Sequence, residues 1–209
     1  FTTFKATGHE NLLQKLHRLM KTAGFEQIDF KDKYAAIKIH FGEYGNLAFL
    51  RPNYARVVAD YVKDLGGKPF LTDCNTLYVG SRKNALDHLE TAYINGFSPY
   101  QTGCHVLIAD GLKGTDETLV PINGEYVKEA KIGSAIMDAD VFISLTHFKG
   151  HEMAVWAAVP EPERWSSTVK ENRVLIQRHA WDVERAAGSV HMEHRSLPIT
   201  RQRSTMISA

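Results

Sequence analysis

The sequence predicts an α/β fold: a mostly parallel sheet with helices on both faces, a β-hairpin insertion and an atypical C-terminal tail. Three observations carry the prediction. Short apolar runs rich in β-branched residues alternate along the chain with stretches whose apolar residues recur at helical spacing, the pattern of successive βαβ units. An Asn-Gly pair, Asn123-Gly124, separates two further strand-like runs with no helix between them, which signals a hairpin. The composition also reverses after Ala154. Residues 1–154 hold 13 Lys, 4 Arg, 14 of the 15 Gly and all 8 Tyr, whereas residues 155–209 hold 1 Lys, 7 Arg, one Gly and all 3 Trp.

The elements follow in order. Leu12, Leu13, Leu16, Leu19 and Met20 share one helical face over residues 9–23, and Gly24 stops that helix. Tyr34 to Phe41 is a strand ending at Gly42. From Pro52 the period changes, with Tyr54, Val57, Val58, Tyr61, Val62 and Leu65 on one stripe, Pro52 suited to the first turn and Gly66-Gly67 closing the helix. Lys68 to Thr72 is the next strand, completing a βαβ unit whose crossover is expected to be right-handed. Ser81 is expected to cap a helix from about Arg82 to Asn95, with Ala85, Leu86, Leu89, Ala92 and Tyr93 inward and Gly96 as terminator. His105 to Ala109 reads as a strand buried on both faces. Thr118 to Ile122 and Glu125 to Ile132 form the hairpin, a short helix spans Ser134 to Met137, and Asp140 to Thr146 is the last strand. Residues 1–154 are thus taken as the α/β domain. Residues 155–209 form a poorly ordered segment whose only apolar cluster is Val174, Leu175 and Ile176. This segment is either a genuine extension, a separately acquired piece or the product of a shifted reading frame.

Composition bounds the partners. A formal net charge of +1 builds no broad field, so neither nucleic acid nor an anionic membrane is expected as a partner. No apolar run reaches the roughly 18 residues that span a bilayer, and no leader is seen in the first residues, so a cytoplasmic protein is expected. The two cysteines, Cys74 and Cys104, have no companions at metal-ligand spacing.

Open α/β sheets bind ligands beyond the carboxyl ends of their parallel strands, where loops and helix N-termini converge. There the first strand carries Lys38, His40 and Glu43, the second Asp73, Cys74 and Asn75, the third Asp110, and the last His147, Lys149, His151 and Glu152. His147 and His151 can ligate a divalent metal or move protons, and Lys149 can hold an anion such as phosphate or carboxylate. The alternative is that these histidines only bond loop carbonyls. His40 can serve as acid, base or ligand, or as a structural group. Asp73 and Asp110 can orient a histidine, bind a cation or a sugar hydroxyl, or cap a helix. Cys74 reads as a buried, inert thiol, and His88, Cys104 and His105 as structural. No dinucleotide fingerprint or P-loop lysine motif occurs, so NAD and ATP are not favoured.

The stretches Ile37-Lys38-Ile39-His40-Phe41-Gly42-Glu43, Gly66 to Arg82, His88-Leu89-Glu90-Thr91-Ala92 and Ile143 to Glu152 closely resemble the domain of unknown function 362 family over about residues 34–154. The resemblance implies an α/β domain in an iron–sulfur cluster-binding protein, with a ferredoxin-like module carrying 4Fe-4S clusters. In that family the His-Glu pair is followed by a glycine-rich run and later by two cysteine clusters. Here Val155-Trp156-Ala157-Ala158-Val159 stands instead and no later cysteine follows, so the departure coincides with the composition break and implies a truncated or frameshifted product. This chain holds no thiolates for such a cluster.

Two functions remain open. The first is a redox or acid–base enzyme acting on a small anionic substrate, with His40, His147 and Lys149 catalytic, Lys38, Glu43, Asp73, Asn75 and Asp110 binding the ligand, and His147 and His151 holding a metal. Its partner would be that small molecule or a redox protein. The second is a metal- or ligand-binding module without turnover, or an inactive fragment.

Overall fold

The computed structural model describes residues 2–122, 128–146, 173–178 and 205–208, the last two segments by their backbone. The chain opens with α1 (Leu12–Thr22), which begins in a capping box: Asn11 accepts from the Gln14 N–H while the Gln14 side chain accepts from the Asn11 N–H. A 3-10 turn at Phe25–Gln27 leads to β1 (Tyr34–Ile39), α2 (Pro52–Asp64) and β2 (Lys68–Asp73). There follow α3 (Ala85–Ile94), a single turn α4 (Pro99–Thr102), β3 (His105–Ile108), the antiparallel pair β4 (Glu117–Pro121) and β5 (Glu129–Gly133), α5 (Ser134–Met137) and β6 (Val141–Thr146). Two strands come from the tail, β7 (Arg173–Arg178) and β8 (Thr205–Ser208).

The main sheet runs β3-β2-β1-β6-β7-β8. Its first four strands are parallel, β7 pairs antiparallel with β6, and β8 antiparallel with β7. The α/β class therefore stands, with the predicted hairpin as a separate two-stranded sheet of β4 and β5. Asn123-Gly124 lies outside the described residues.

Strand alternation divides the core in two. Ala35, Ile37 and Ile39 of β1, Leu71 of β2 and Val141, Ile143 and Leu145 of β6 pack with Leu16 and Met20 of α1 and Val58 and Val62 of α2. The opposite face puts Ala36, Phe70 and Phe142, which are register partners, against Ala130 and Ile132 of β5 and Ile136 of α5. Helices thus meet both faces.

Two sequence expectations are corrected. The third helix starts at Ala85, because Asn84 rather than Ser81 supplies the cap, accepting from Leu86 and Asp87 N–H at 3.1 Å each. Its buried face accordingly consists of His88, Thr91 and Ala92, while Leu86 and Tyr93 are exposed. β3 is also not buried on both faces: among the described strands it pairs only with β2, at the sheet edge, and His105 and Leu107 are exposed. Among the described residues no helix is long and apolar enough to cross a membrane.

Candidate functional site

The parallel strands deliver their polar residues to one edge. Asp73, the last residue of β2, is 2 % exposed and stands at the centre. Its Oδ1 lies 3.4 Å from Lys38 Nζ and accepts the Cys74 N–H at 3.0 Å. Its Oδ2 lies 3.4 Å from Arg82 Nη1 and 4.0 Å from His88 Nε2. Burial alone would raise this carboxyl, but the Lys38 and Arg82 charges outweigh it and hold the group below the usual Asp range.

Arg82 has no exposed surface although it sits in a loop. The loop turns it inward because Arg82 C=O accepts from the Thr76 N–H and Ser81 C=O from the Thr91 hydroxyl. Its Nε donates to Glu43 Oε1 at 3.1 Å and its Nη2 to Glu43 and to the Tyr78 hydroxyl. That hydroxyl in turn donates to Glu43 at 2.6 Å. Burial acts to raise Glu43, yet the bonds from Arg82 and Tyr78 prevail and bring it down to about 2. One guanidinium therefore links the loop after β1 to the end of β2, and a fully desolvated cation is tolerated because two carboxylates meet it.

His40 follows β1 directly. Its Nδ1 accepts the Gly42 N–H at 2.8 Å, so in the neutral ring the proton sits on Nε2. Burial, with the Arg82 and Lys38 charges added, pushes its pKa down to about 3 despite the opposing carboxylates. His40 is therefore a neutral N–H donor. Gly42 makes this geometry possible: its φ is +84°, and a Cβ there would sit 2.5 Å from the Phe49 ring and 2.8 Å from Asn95 Nδ2.

A second cluster joins the loops after β2 and β3. Asp110 Oδ1 accepts from the Asn75 backbone and side-chain amides at 3.0 and 2.9 Å, and Asn75 Nδ2 also donates to Gly111 C=O at 2.8 Å. Asp110 is thus a loop clamp rather than a helix cap. Asn75 Oδ1 is buried without a hydrogen bond among the described residues. Cys74, between Asp73 and Asn75, has its thiol pushed up by burial and by the charges of Asp110 and Asp73, which fits an inert thiol.

Of the residues singled out from sequence, Lys38, His40, Glu43 and Asp73 form one cluster and Asn75 and Asp110 its neighbour. His147, Lys149 and His151 lie outside the described residues; β6 ends beside β1, at Thr146. Sequence reasoning missed Arg82 and Tyr78; His88, read as structural, is buried on the inner face of α3. The signal available was the position of Arg82 and Tyr78 within the family-like stretch that also contains Asp73, read there as the start of a helix. Among the described residues, no group of three or more His, Cys, Asp or Glu could hold a metal ion. Cys74 lies past the C-terminal end of β2 and Cys104 precedes the N-terminal end of β3, at opposite ends of parallel strands. Burial raises both thiols, Cys104 to about 11. A thiolate-held cluster does not fit these two residues.

A family model described as Domain of unknown function (DUF362) matches residues 35–158. No curated protein and no solved structure matches the chain.

Proposed function

The chain belongs to the Domain of unknown function (DUF362) family, and on that footing we propose that its strand-end cluster binds a small anionic molecule and stabilises negative charge on one of its oxygens. One observation carries the reading. Lys38 Nζ on β1 and His40 Nε2 just past its end form no hydrogen bond among the described residues; Lys38 has there only the 3.4 Å ion pair with Asp73. An ammonium with three donors and an imidazole N–H fixed as a donor suit an oxyanion.

The topology supports the same place. β2 and β3 lie on one side of β1 and β6 on the other, so the strand order reverses at β1, where open α/β sheets form their ligand crevice. Arg82, with Glu43 and Asp73, fixes the crevice wall. In an acid–base enzyme Lys38 and His40 would polarise the substrate; in a module without turnover the same donors would only hold it. A redox role needs electrons from a partner or module beyond these residues, whereas the acid–base role needs none. We place the protein in the cytoplasm, acting on a soluble small molecule.

Titration calorimetry with inorganic phosphate and with acetate tests this. Wild-type protein should bind at least one of them, and Lys38→Gln should weaken binding more than about tenfold, as expected for a hydrogen bond to a charged group. Unchanged affinity in Lys38→Gln, or no binding by the wild type, overturns it.

A second reading rests on the end of β6 beside β1: the chain runs on from Thr146 into His147, so His147 and His151, with Lys149, are proposed to bring a divalent metal and a further cation to the crevice. Elemental analysis of purified protein should then show bound metal that is lost in His147→Ala/His151→Ala. Metal retained by that variant removes this reading.

A further inference from the structure

The face of the sheet that packs on the hairpin changes character within one step. Ala36, Phe70 and Phe142 form an apolar row across β1, β2 and β6. Two residues further along, the register row is Thr72, Lys38 and Ser144. Neighbouring strands lie about 4.8 Å apart, so the two hydroxyl residues flank Lys38 at that distance on either side.

The hydroxyls are not equivalent. Ser144 Oγ is 2.7 Å from Thr146 Oγ1, so one of this pair donates to the other and the second keeps its proton available. Thr72 has no exposed surface, and among the described residues its Oγ1 has no hydrogen-bond partner. A buried unpaired hydroxyl costs stability, and valine has the same shape without that cost. Packing therefore does not account for a threonine here. The row also opens outward: Ser144 is 1 % exposed, whereas His40 and Thr146, one step nearer the strand ends, are half-buried.

We propose that Thr72, Lys38 and the Ser144–Thr146 pair form an oxyanion subsite on this face, and that the group it takes is tetrahedral, a phosphate rather than a carboxylate. The inference rests on the anion-binding reading above and extends it from the strand ends onto the sheet face. Donors approach from three strands: the Thr72 hydroxyl from β2, the Lys38 ammonium from β1 and the spare Ser144–Thr146 proton from β6. A planar carboxylate offers two oxygens in one plane. A phosphate offers oxygens in three directions and matches donors on both sides of the central lysine. Lys38 is the movable part: its side chain is 20 % exposed and pairs with Asp73 only at 3.4 Å, so a turn toward the ligand opens the way to Thr72.

Calorimetry on the full chain with inorganic phosphate and acetate as probes, using Thr72→Val, Thr72→Ser and Lys38→Gln, tests the subsite. Thr72→Val should weaken phosphate binding about tenfold with unchanged or higher thermal stability, and Thr72→Ser should restore most of the affinity. Phosphate affinity unaffected by Thr72→Val, while Lys38→Gln abolishes it, overturns the subsite and leaves the anion site standing. Acetate bound as tightly as phosphate overturns the tetrahedral assignment. A wild type that binds neither probe overturns both.

Discussion

Arg82 Nε donates to Glu43 Oε1 at 3.1 Å across 39 positions of sequence, with the guanidinium wholly shielded from solvent. This bond ties the loop leaving β1 to the loop leaving β2, and through Nη1 it also reaches Asp73.

Replacing Arg82 by methionine should therefore destabilise the fold by about 3 kcal/mol, because the buried Asp73 loses a countercharge while its desolvation persists. Arg82→Lys should recover only part of this, since an ammonium cannot fork between Glu43, Tyr78 and Asp73. Denaturant unfolding of the three proteins measures it. A loss within about 0.5 kcal/mol, the range of an ordinary surface substitution, would show that the network contributes no stability.

Acid should weaken the protein over two overlapping windows. His40 and His88 are pushed down, chiefly by burial, to about 3 and about 4, so below pH 6.5 the unfolded chain takes up protons that the folded chain refuses, and stability falls. Glu43 is held near 2 in the fold against an ordinary 4.5; its contribution is complete above about 4.5 and is lost as pH falls toward 2. Melting temperature recorded from pH 7.5 down to 3 should decline once the pH passes below about 6.5. His88→Phe, which packs in place of the ring beside Phe41, should flatten the upper part of that decline. A flat profile between pH 7 and 4.5 in the wild type would contradict the buried, neutral histidines.

The His40 ring should carry its proton on Nε2 throughout the range from pH 8 to 5, because Nδ1 is occupied by the Gly42 N–H. Long-range nitrogen–proton correlation spectra read this directly. Observation of the Nδ1–H tautomer, or of a protonated ring at pH 6, would remove the donor role given to His40.

Neither cysteine should react readily with an aromatic disulfide reagent at pH 8 in the folded protein, since burial raises both thiols. Both should react once the chain is unfolded. Rapid modification of Cys74 in the native state would mean that the thiol beside Asp73 is exposed to solvent rather than buried.

The order of elements was legible because the apolar period switches clearly between strand and helix around β1, α2 and β2, with Pro52 and the two glycines as punctuation. What misled was local. Ser81 looked like a cap, but the three residues it opens are spent turning Arg82 inward, and Asn84 caps instead. The apolar string of β3 looked doubly buried, although its place at the sheet edge depends on strand order, which no local pattern encodes. Val174 to Ile176 stood out as apolar, yet their antiparallel pairing with β6 is a long-range choice. Of the site, Lys38, His40 and Asp73 were legible from strand-end position. Arg82 was not, since a buried cation is defined only by carboxylates elsewhere in the chain, Glu43 being 39 positions away.

β1 alternates between two tasks. Ile37 and Ile39 are sealed in the helix-covered core, and the intervening Lys38, with His40 after the strand, faces the other way. On the proposed reading, the strand's ligand-facing residues follow Ala36 on the hairpin side, whereas Ile37 and Ile39 anchor it from the helix side. If Lys38 and His40 bind the anion as proposed, substitutions there can alter ligand preference while Ile37 and Ile39 continue to anchor the sheet, which would make this strand a natural point of divergence among proteins built on the same frame.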